Sequence, residues 1–155
     1  MDWTSLPRRA GEAPITNPAM PHTQVTQTAP AELQEALFER LSALTGVVVG
    51  RSHVSVPGAR AFHLDNDHAA GPRDAFMMGT EFAHLHPAHD GSLHVMLLEA
   101  DAREVIARGW GEFHPLVAQG VMPPTTLMIY GPRDAAEVDA LESIVGASYE
   151  RAAGS

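Results

Sequence analysis

From Glu81 to His94 the chain reads Glu-Phe-Ala-His-Leu-His-Pro-Ala-His-Asp-Gly-Ser-Leu-His, which sets four of its nine histidines in one short segment. Histidine is the side chain best suited to bind metals and to move protons near neutral pH. Whether these four can act together depends on where each one points. Side chains alternate across a strand, and directly paired residues of antiparallel neighbours share a face. In the second apolar stretch Leu93, Val95 and Leu97 belong to the core, which turns Ser92, His94 and Met96 the other way. In the first, Ala83 and Leu85 suit the core, leaving Phe82, His84 and His86 on the opposite face.

Uniting the two apolar faces requires even-numbered residues to oppose each other, and a five-residue loop from Pro87 to Gly91 does this by setting His84 across from His94. One residue more or fewer would send His94 to the other face. Three imidazoles, His84, His86 and His94, then converge on one hairpin. Such a trio can hold a divalent metal, share a proton network, or simply form a polar outer face. A complete metal site would need His63, His114 or a carboxylate from elsewhere. His89 and Asp90 serve the turn, with Gly91 supplying positive φ. Glu81 falls on the core-side parity, where it has to be paired or lie at a sheet edge.

Other candidates lie further along. His114, in Trp110-Gly-Glu-Phe-His-Pro, can approach the trio from the segment after a helix, whereas Trp110 reads as core. Tyr130 and Arg133 sit where a small anionic ligand could meet them, and Phe82 and Met96 flank the trio as substrate contacts. His22, His53 and His68 receive no role.

These residues need elements to hold them. Residues 1–30 carry Pro7, Pro14, Pro18, Pro21 and Pro30 and predict an extended arm rather than helix or sheet. The domain proper spans 31–155. Leu33, Leu37, Leu41 and Leu44 recur at helical spacing, with Thr28 or Pro30 at the start and Gly46 past the end. Val47 to Val56 and Ala59 to Leu64 predict a strand pair joined by a tight turn at Pro57-Gly58. Asp65 to Asp74 is a loop, and Ala75 to His86 and Ser92 to Leu98 are the hairpin strands. Ala100 to Arg108 predicts a short helix closed by Gly109, and Thr125 to Tyr130 the last strand. Asp134 and Glu137 form a capping box for a helix with Val138, Leu141, Val145 and Tyr149 on one face. The fold class expected is α+β: a single domain, a mainly antiparallel sheet with about three helices on one face.

Composition narrows the function classes. With 155 residues the chain suits one domain, and its net charge of −9, without a basic stripe, argues against nucleic acid or anionic membrane as a partner. It contains no cysteine, so any metal would take His and carboxylate ligands. Neither a signal-like run nor a membrane-length apolar stretch occurs, and the chain reads as soluble and cytoplasmic. The partner expected is a small-molecule ligand; homo-oligomerisation stays open.

Several stretches carry a family resemblance: Glu81 to Pro87 with Asp90 to His94, Ala102 to Glu112 with His114-Pro-Leu, and Met128 to Asp134. Val54 to Arg60 and Pro21 to Gln24 add to it. Together they resemble the luciferase-like domain of luminous fungi and its small bacterial relatives, over most of the chain beyond about residue 20. The resemblance implies oxidation of a hydroxylated pyrone by molecular oxygen, through a peroxide that loses carbon dioxide with emission of light, and no flavin. An N-terminal membrane anchor of the fungal type is not expected here. The implied chemistry is a luciferase-like oxygenase acting on an electron-rich enol, hydroxypyrone or phenol, with O2 as co-substrate and no cofactor required. His84 or His94 would be the general base, and Arg133 or a second imidazolium would stabilise the anion. Two alternatives remain: a metal-dependent hydrolase or metal-binding protein using His84, His86 and His94, and a non-catalytic small-molecule-binding domain.

Overall fold

Helix α1 (Ala31–Ser42) begins where the proline-rich segment ends, with Pro30 as its N-cap residue. Its leucine stripe does what the spacing predicts, since Leu37 and Leu41 are fully buried. The computed structural model describes residues 1–155 and packs α1 against the long helix α4 (Ala135–Ala152). Val138, Leu141 and Val145 are buried along α4 and Tyr149 is half-buried. The Asp134 carboxylate accepts a hydrogen bond from the Glu137 N–H at 2.8 Å, which caps α4. Glu137 reaches back to the Arg133 N–H, also at 2.8 Å, so the capping box closes one residue earlier than expected.

Six strands follow: β1 (Val47–Arg51), β2 (Arg60–Leu64), β3 (Glu81–Leu85), β4 (Leu93–Met96), β5 (Gly111–Phe113) and β6 (Thr126–Ile129). They form one antiparallel sheet in the order β1-β2-β3-β4-β6-β5. Phe62, Leu64, Leu85, Leu93, Val95, Leu127 and Ile129 enter one core with residues of α1, α4 and α2 (Glu99–Ala107). The fold is therefore the expected α+β arrangement. A fourth helix, α3 (Pro115–Ala118), is a single turn. No helix is long and apolar enough to cross a membrane.

Three local departures from the sequence expectation bear on the site. First, β1 ends at Arg51 instead of continuing to Val56. The Ser52 hydroxyl and the His53 N–H each donate to the Glu81 carboxylate at 2.8 Å, and Ser52 Oγ accepts from the N–H groups of Val54 and Ser55. Those bonds draw the chain out of the ladder, so residues 52–59 make a loop rather than a tight turn. Second, β3 starts only at Glu81, because Arg73–Ala75 forms a 3-10 turn.

The third departure is a bulge between β2 and β3. Phe62 pairs with Ala83 but His63 pairs with Glu81, which leaves Phe82 without a partner. An extra residue on one strand reverses the alternation beyond it. Phe82 consequently points into the core, its ring 6.5 Å from that of Phe62 and 6.0 Å from that of Tyr149. Glu81 points to the histidine face instead. Both positions correct the strict period-two reading.

Residues 1–30 form the extended arm, with one 3-10 turn at Trp3–Ser5 and a single bridge between Thr16 and Gln24. The arm lies on the domain, with Trp3, Leu6, His22 and Gln24 buried. The Trp3 indole N–H donates to Asp101 at 2.6 Å, and Arg133 donates to the Ala10 carbonyl at 2.8 Å.

Because Phe82 is core and not cavity wall, Phe82→Ala is expected to cost about 3–5 kcal/mol of unfolding free energy. Urea denaturation measures this directly. A loss below about 1 kcal/mol would place the ring in solvent-accessible space instead.

Candidate active site

The pairing of β3 with β4 sets His84 opposite His94, the register expected from the five-residue loop. The same row runs across all six strands as Gly50, Ala61, His84, His94, Met128 and Glu112. His86 lies beyond the end of β3, where its N–H still donates to the Ser92 carbonyl at 2.9 Å. Three ring nitrogens meet there. His84 Nε2 is 3.2 Å and His86 Nε2 is 3.0 Å from His94 Nδ1.

Two further imidazoles complete a cluster of five. The arm brings in His22, whose Nδ1 is 2.9 Å from His94 Nε2. His114 arrives as the N-cap residue of α3, its Nδ1 accepting from the Leu116 N–H at 3.1 Å. Its ring is 5.2 Å from His22 and 5.5 Å from His94. All five are buried.

Three of the rings around His94 are held from behind. Glu81 accepts from His84 Nδ1–H at 2.9 Å. Ser92 Oγ donates to Asp90 at 2.5 Å, so it accepts from His86 Nδ1–H at 2.8 Å. Asp90 Oδ2 also lies 3.2 Å from that nitrogen, without the alignment of a hydrogen bond. Glu112 accepts from His22 Nε2–H at 3.0 Å, from the Thr16 hydroxyl and from the Tyr130 phenol at 3.1 Å.

Burial alone would raise the pKa of Glu81, Asp90 and Glu112, but their hydrogen bonds outweigh it and hold all three below the usual carboxylate range. None of them is ion-paired with a lysine or arginine. Burial drives the pKa of His84 down, and drives that of His94 well down, assisted there by the neighbouring imidazoles. His114 is lowered for the same reasons. His84, His94 and His114 are thus buried imidazoles biased to the neutral form, beside carboxylates biased to the ionised one.

The cluster lines a cavity of about 870 Å³. His22, His84, His86, His94 and His114 contribute to its wall, with Met96 and Thr126 from the sheet. Met20, Pro21 and Thr23 of the arm close one side, and Val54, Ser55 and Val56 of the loop freed from β1 close another. Phe76, Met77, Met122 and Pro123 add apolar surface. Arg73 also lines the cavity, and its guanidinium has neither an ion-pair nor a hydrogen-bond partner in the chain.

The residues singled out in the sequence divide accordingly. His84, His86, His94, Met96 and His114 come together at the cavity. Phe82, Tyr130 and Arg133 do not line it. Tyr130 stands behind Glu112 with Arg9 5.2 Å over its ring, and burial followed by the charge of Glu112 pushes its phenol pKa up. Arg133 pairs with Glu137 and binds the arm. At the sheet edge, away from the cluster, His63 Nε2–H donates to the Arg51 carbonyl at 2.9 Å.

Other residues were missed. His22 could not be found from the sequence, because an arm without periodicity gives no register. Glu81 was hidden by the bulge. Glu112 had a local signal, the polar residue of Gly-Glu-Phe between Trp110 and His114, but its role depends on the β6–β5 pairing. Asp90 belongs to the site as well as to the turn, whereas His89 is exposed.

Residues 79–148 match the model of the Luciferase domain family. Over this stretch the chain is luciferase-like. It is 46% identical over 70 residues to a protein named Luciferase from Armillaria ostoyae, and 44% identical over the same length to those of Armillaria gallica and Neonothopanus nambi. Each match covers 44% of this chain and 26% of the relative, so the chain spans about a quarter of the relatives' length. The named relatives are fungal. No solved structure matches the chain. The matched stretch contains Glu81, His84, His86, Asp90, His94, Glu112 and His114, while His22 lies outside it.

His22→Ala should remove the arm's strongest tie to the cluster and leave Glu112 short of a donor. We expect a stability loss of about 1–3 kcal/mol, and faster proteolytic nicking within residues 10–30, read by limited proteolysis and mass spectrometry.

Proposed function

We propose that the chain is a luciferase-like oxygenase, an oxidoreductase that takes a planar, electron-rich enol, hydroxypyrone or phenol and combines it with O2 without flavin. The observation that carries this reading is the set of buried imidazoles forming the floor of an apolar-walled cavity. Ligand sites are commonly concave, mostly apolar, and furnished with a few convergent polar groups. The names of the fungal relatives support it at the level of reaction class.

The chemistry starts with the substrate's acidic O–H. His84 and His94 are held neutral by burial, so a ring lone pair is free to take that proton at neutral pH. Glu81 behind His84 stabilises the imidazolium that forms, since its carboxylate accepts from Nδ1–H. The enolate and O2 then combine: the electron pair at the enolate carbon forms the new C–O bond and the peroxide anion carries the charge. Low local dielectric strengthens the attraction of that anion to the nearby imidazolium. Arg73 takes the anion-binding role that the sequence suggested for Arg133, because it is the unpaired guanidinium at the cavity.

Oxygen uptake with a 4-hydroxy-2-pyrone or a catechol tests the proposal. His84→Ala and His94→Ala are expected to lower kcat by about 10²–10⁴-fold, measured with an oxygen electrode; unchanged uptake in both variants refutes the assignment of the base. Arg73→Ala should lower kcat and kcat/KM together, the signature of an interaction made with charge that develops during the reaction.

A further inference from the structure

The proton positions in the cluster follow from its partners. The Glu81 carboxylate lies 2.9 Å from His84 Nδ1 and accepts its N–H, so the nitrogen turned toward His94 is a bare Nε2. The Ser92 hydroxyl is spent on Asp90, so His86 also carries its proton on Nδ1 and leaves Nε2 bare. Glu112 takes the Nε2–H of His22, so His22 Nδ1 accepts from His94 Nε2–H, and His94 Nδ1 is bare as well. The N–H of each of these four rings then has an acceptor. What remains is three lone pairs, on His84 Nε2, His86 Nε2 and His94 Nδ1, all turned toward one another.

Lone pairs 3.0 and 3.2 Å apart repel unless a cation sits among them. A proton can join two of the three nitrogens but not all three. A metal ion can. Two imidazole nitrogens each about 2.0–2.1 Å from a tetrahedral ion are about 3.3 Å apart, close to the spacings seen here. The ligand atoms of His84, His86 and His94 all lie within 4.8 Å of one another. We propose that His84 Nε2, His86 Nε2 and His94 Nδ1 form a facial three-histidine site for a divalent first-row transition ion.

Two independent features agree. Each ligand's far nitrogen is held by a carboxylate, directly from Glu81, through Ser92 from Asp90, and through His22 from Glu112. Carboxylate–histidine–metal chains of this kind orient the ring and raise its basicity. The same three carboxylates lack a lysine or arginine partner, so a dication would balance charge that the folded chain otherwise leaves uncompensated. All three ligands line the cavity, which leaves the remaining coordination positions open to a small molecule. Nitrogen-only ligation favours zinc, iron, copper, nickel or cobalt over magnesium or calcium.

The inference rests on the oxygenase reading only in taking this floor as the place where substrate binds. Bound there, an ion would take the lone pairs of His84 and His94 that serve as the base in its absence, and would instead supply Lewis acidity beside the enol oxygen, so that a weaker base suffices. The chain's own part would be to hold the rings, through Glu81, Asp90, Ser92 and His22.

Untagged protein, stripped with a chelator and titrated with cobalt(II), tests the site without reference to activity. One cobalt per chain with the visible bands of a low-coordinate ion, and a rise in Tm, is the expected result. His86→Ala should abolish stoichiometric binding, and Glu81→Gln and Asp90→Asn should weaken it about 10–100-fold. His89→Ala, on the exposed tip of the same hairpin, should leave it unchanged. Should His86→Ala not fold, the two carboxylate variants decide the matter by the same shift in affinity. Folded protein that takes up less than about 0.1 cobalt per chain overturns the site and leaves the oxygenase reading in place. A stoichiometric ion with no oxygen uptake on hydroxypyrone or catechol supports the site and overturns the oxygenase reading instead.

Discussion

The burial of Glu81 and Asp90, and the half-burial of Glu112, without lysine or arginine beside them is the constraint around which the rest of the structure is arranged. An ionised carboxylate taken from water has to recover its lost hydration from donors and positive charge. Here the donors are imidazole N–H groups, hydroxyls and backbone amides. Each carboxylate fixes one ring directly or through a hydroxyl, and the rings meet at His94. Glu81 shows how far this reaches, because its bonds to Ser52 and His53 end β1 early and free a loop whose Val54, Ser55 and Val56 become cavity wall.

The sheet supplies the precision that the cluster needs. A row of directly paired residues from Gly50 to Glu112 places His84 and His94 side by side and brings Glu112 to the same face two strands away. Close approach of backbone helps at the edge. A side chain at Gly111 would put its Cβ 2.1 Å from the Met128 carbonyl, which only glycine avoids at that position of the β5–β6 pair. On the other face, the packing of α1 and α4 fixes the sheet as a rigid floor, and Gln34 of α1 donates to the Ala88 carbonyl to hold the hairpin loop. The site is thus built on strands, with loops and the arm closing it.

The arm turns a polar surface into an enclosed one. Without residues 1–30, the histidine face would present itself to water, and the low pKa of His94 that burial produces would be lost. Arg133 and Arg9 take part in seating the arm: Arg133 reaches Ala10 and Gln27, and Arg9 reaches Glu12 and Gln27. That explains why the cation that looked suited to a ligand sits elsewhere, while Arg73 faces the cavity.

How much was legible can be traced residue by residue. The α1 and α4 stripes, the α4 cap and the His84–His94 pairing follow from period and loop length, which are local rules, and local rules are what a sequence by itself determines. The reversed positions of Phe82 and Glu81 came from one unpaired residue in β3, whose presence depends on how β2 lies against it. His22 reaches His94 across 72 positions of chain, and Glu112 reaches His22 across 90. Contacts at such separations leave no periodic trace, because they are set by how packed elements fit and not by the residues between them. The sequence alone therefore decided that three histidines would share a face; only the tertiary structure decided that five would form a cluster, which carboxylates would stand behind them, and that the face would become a cavity.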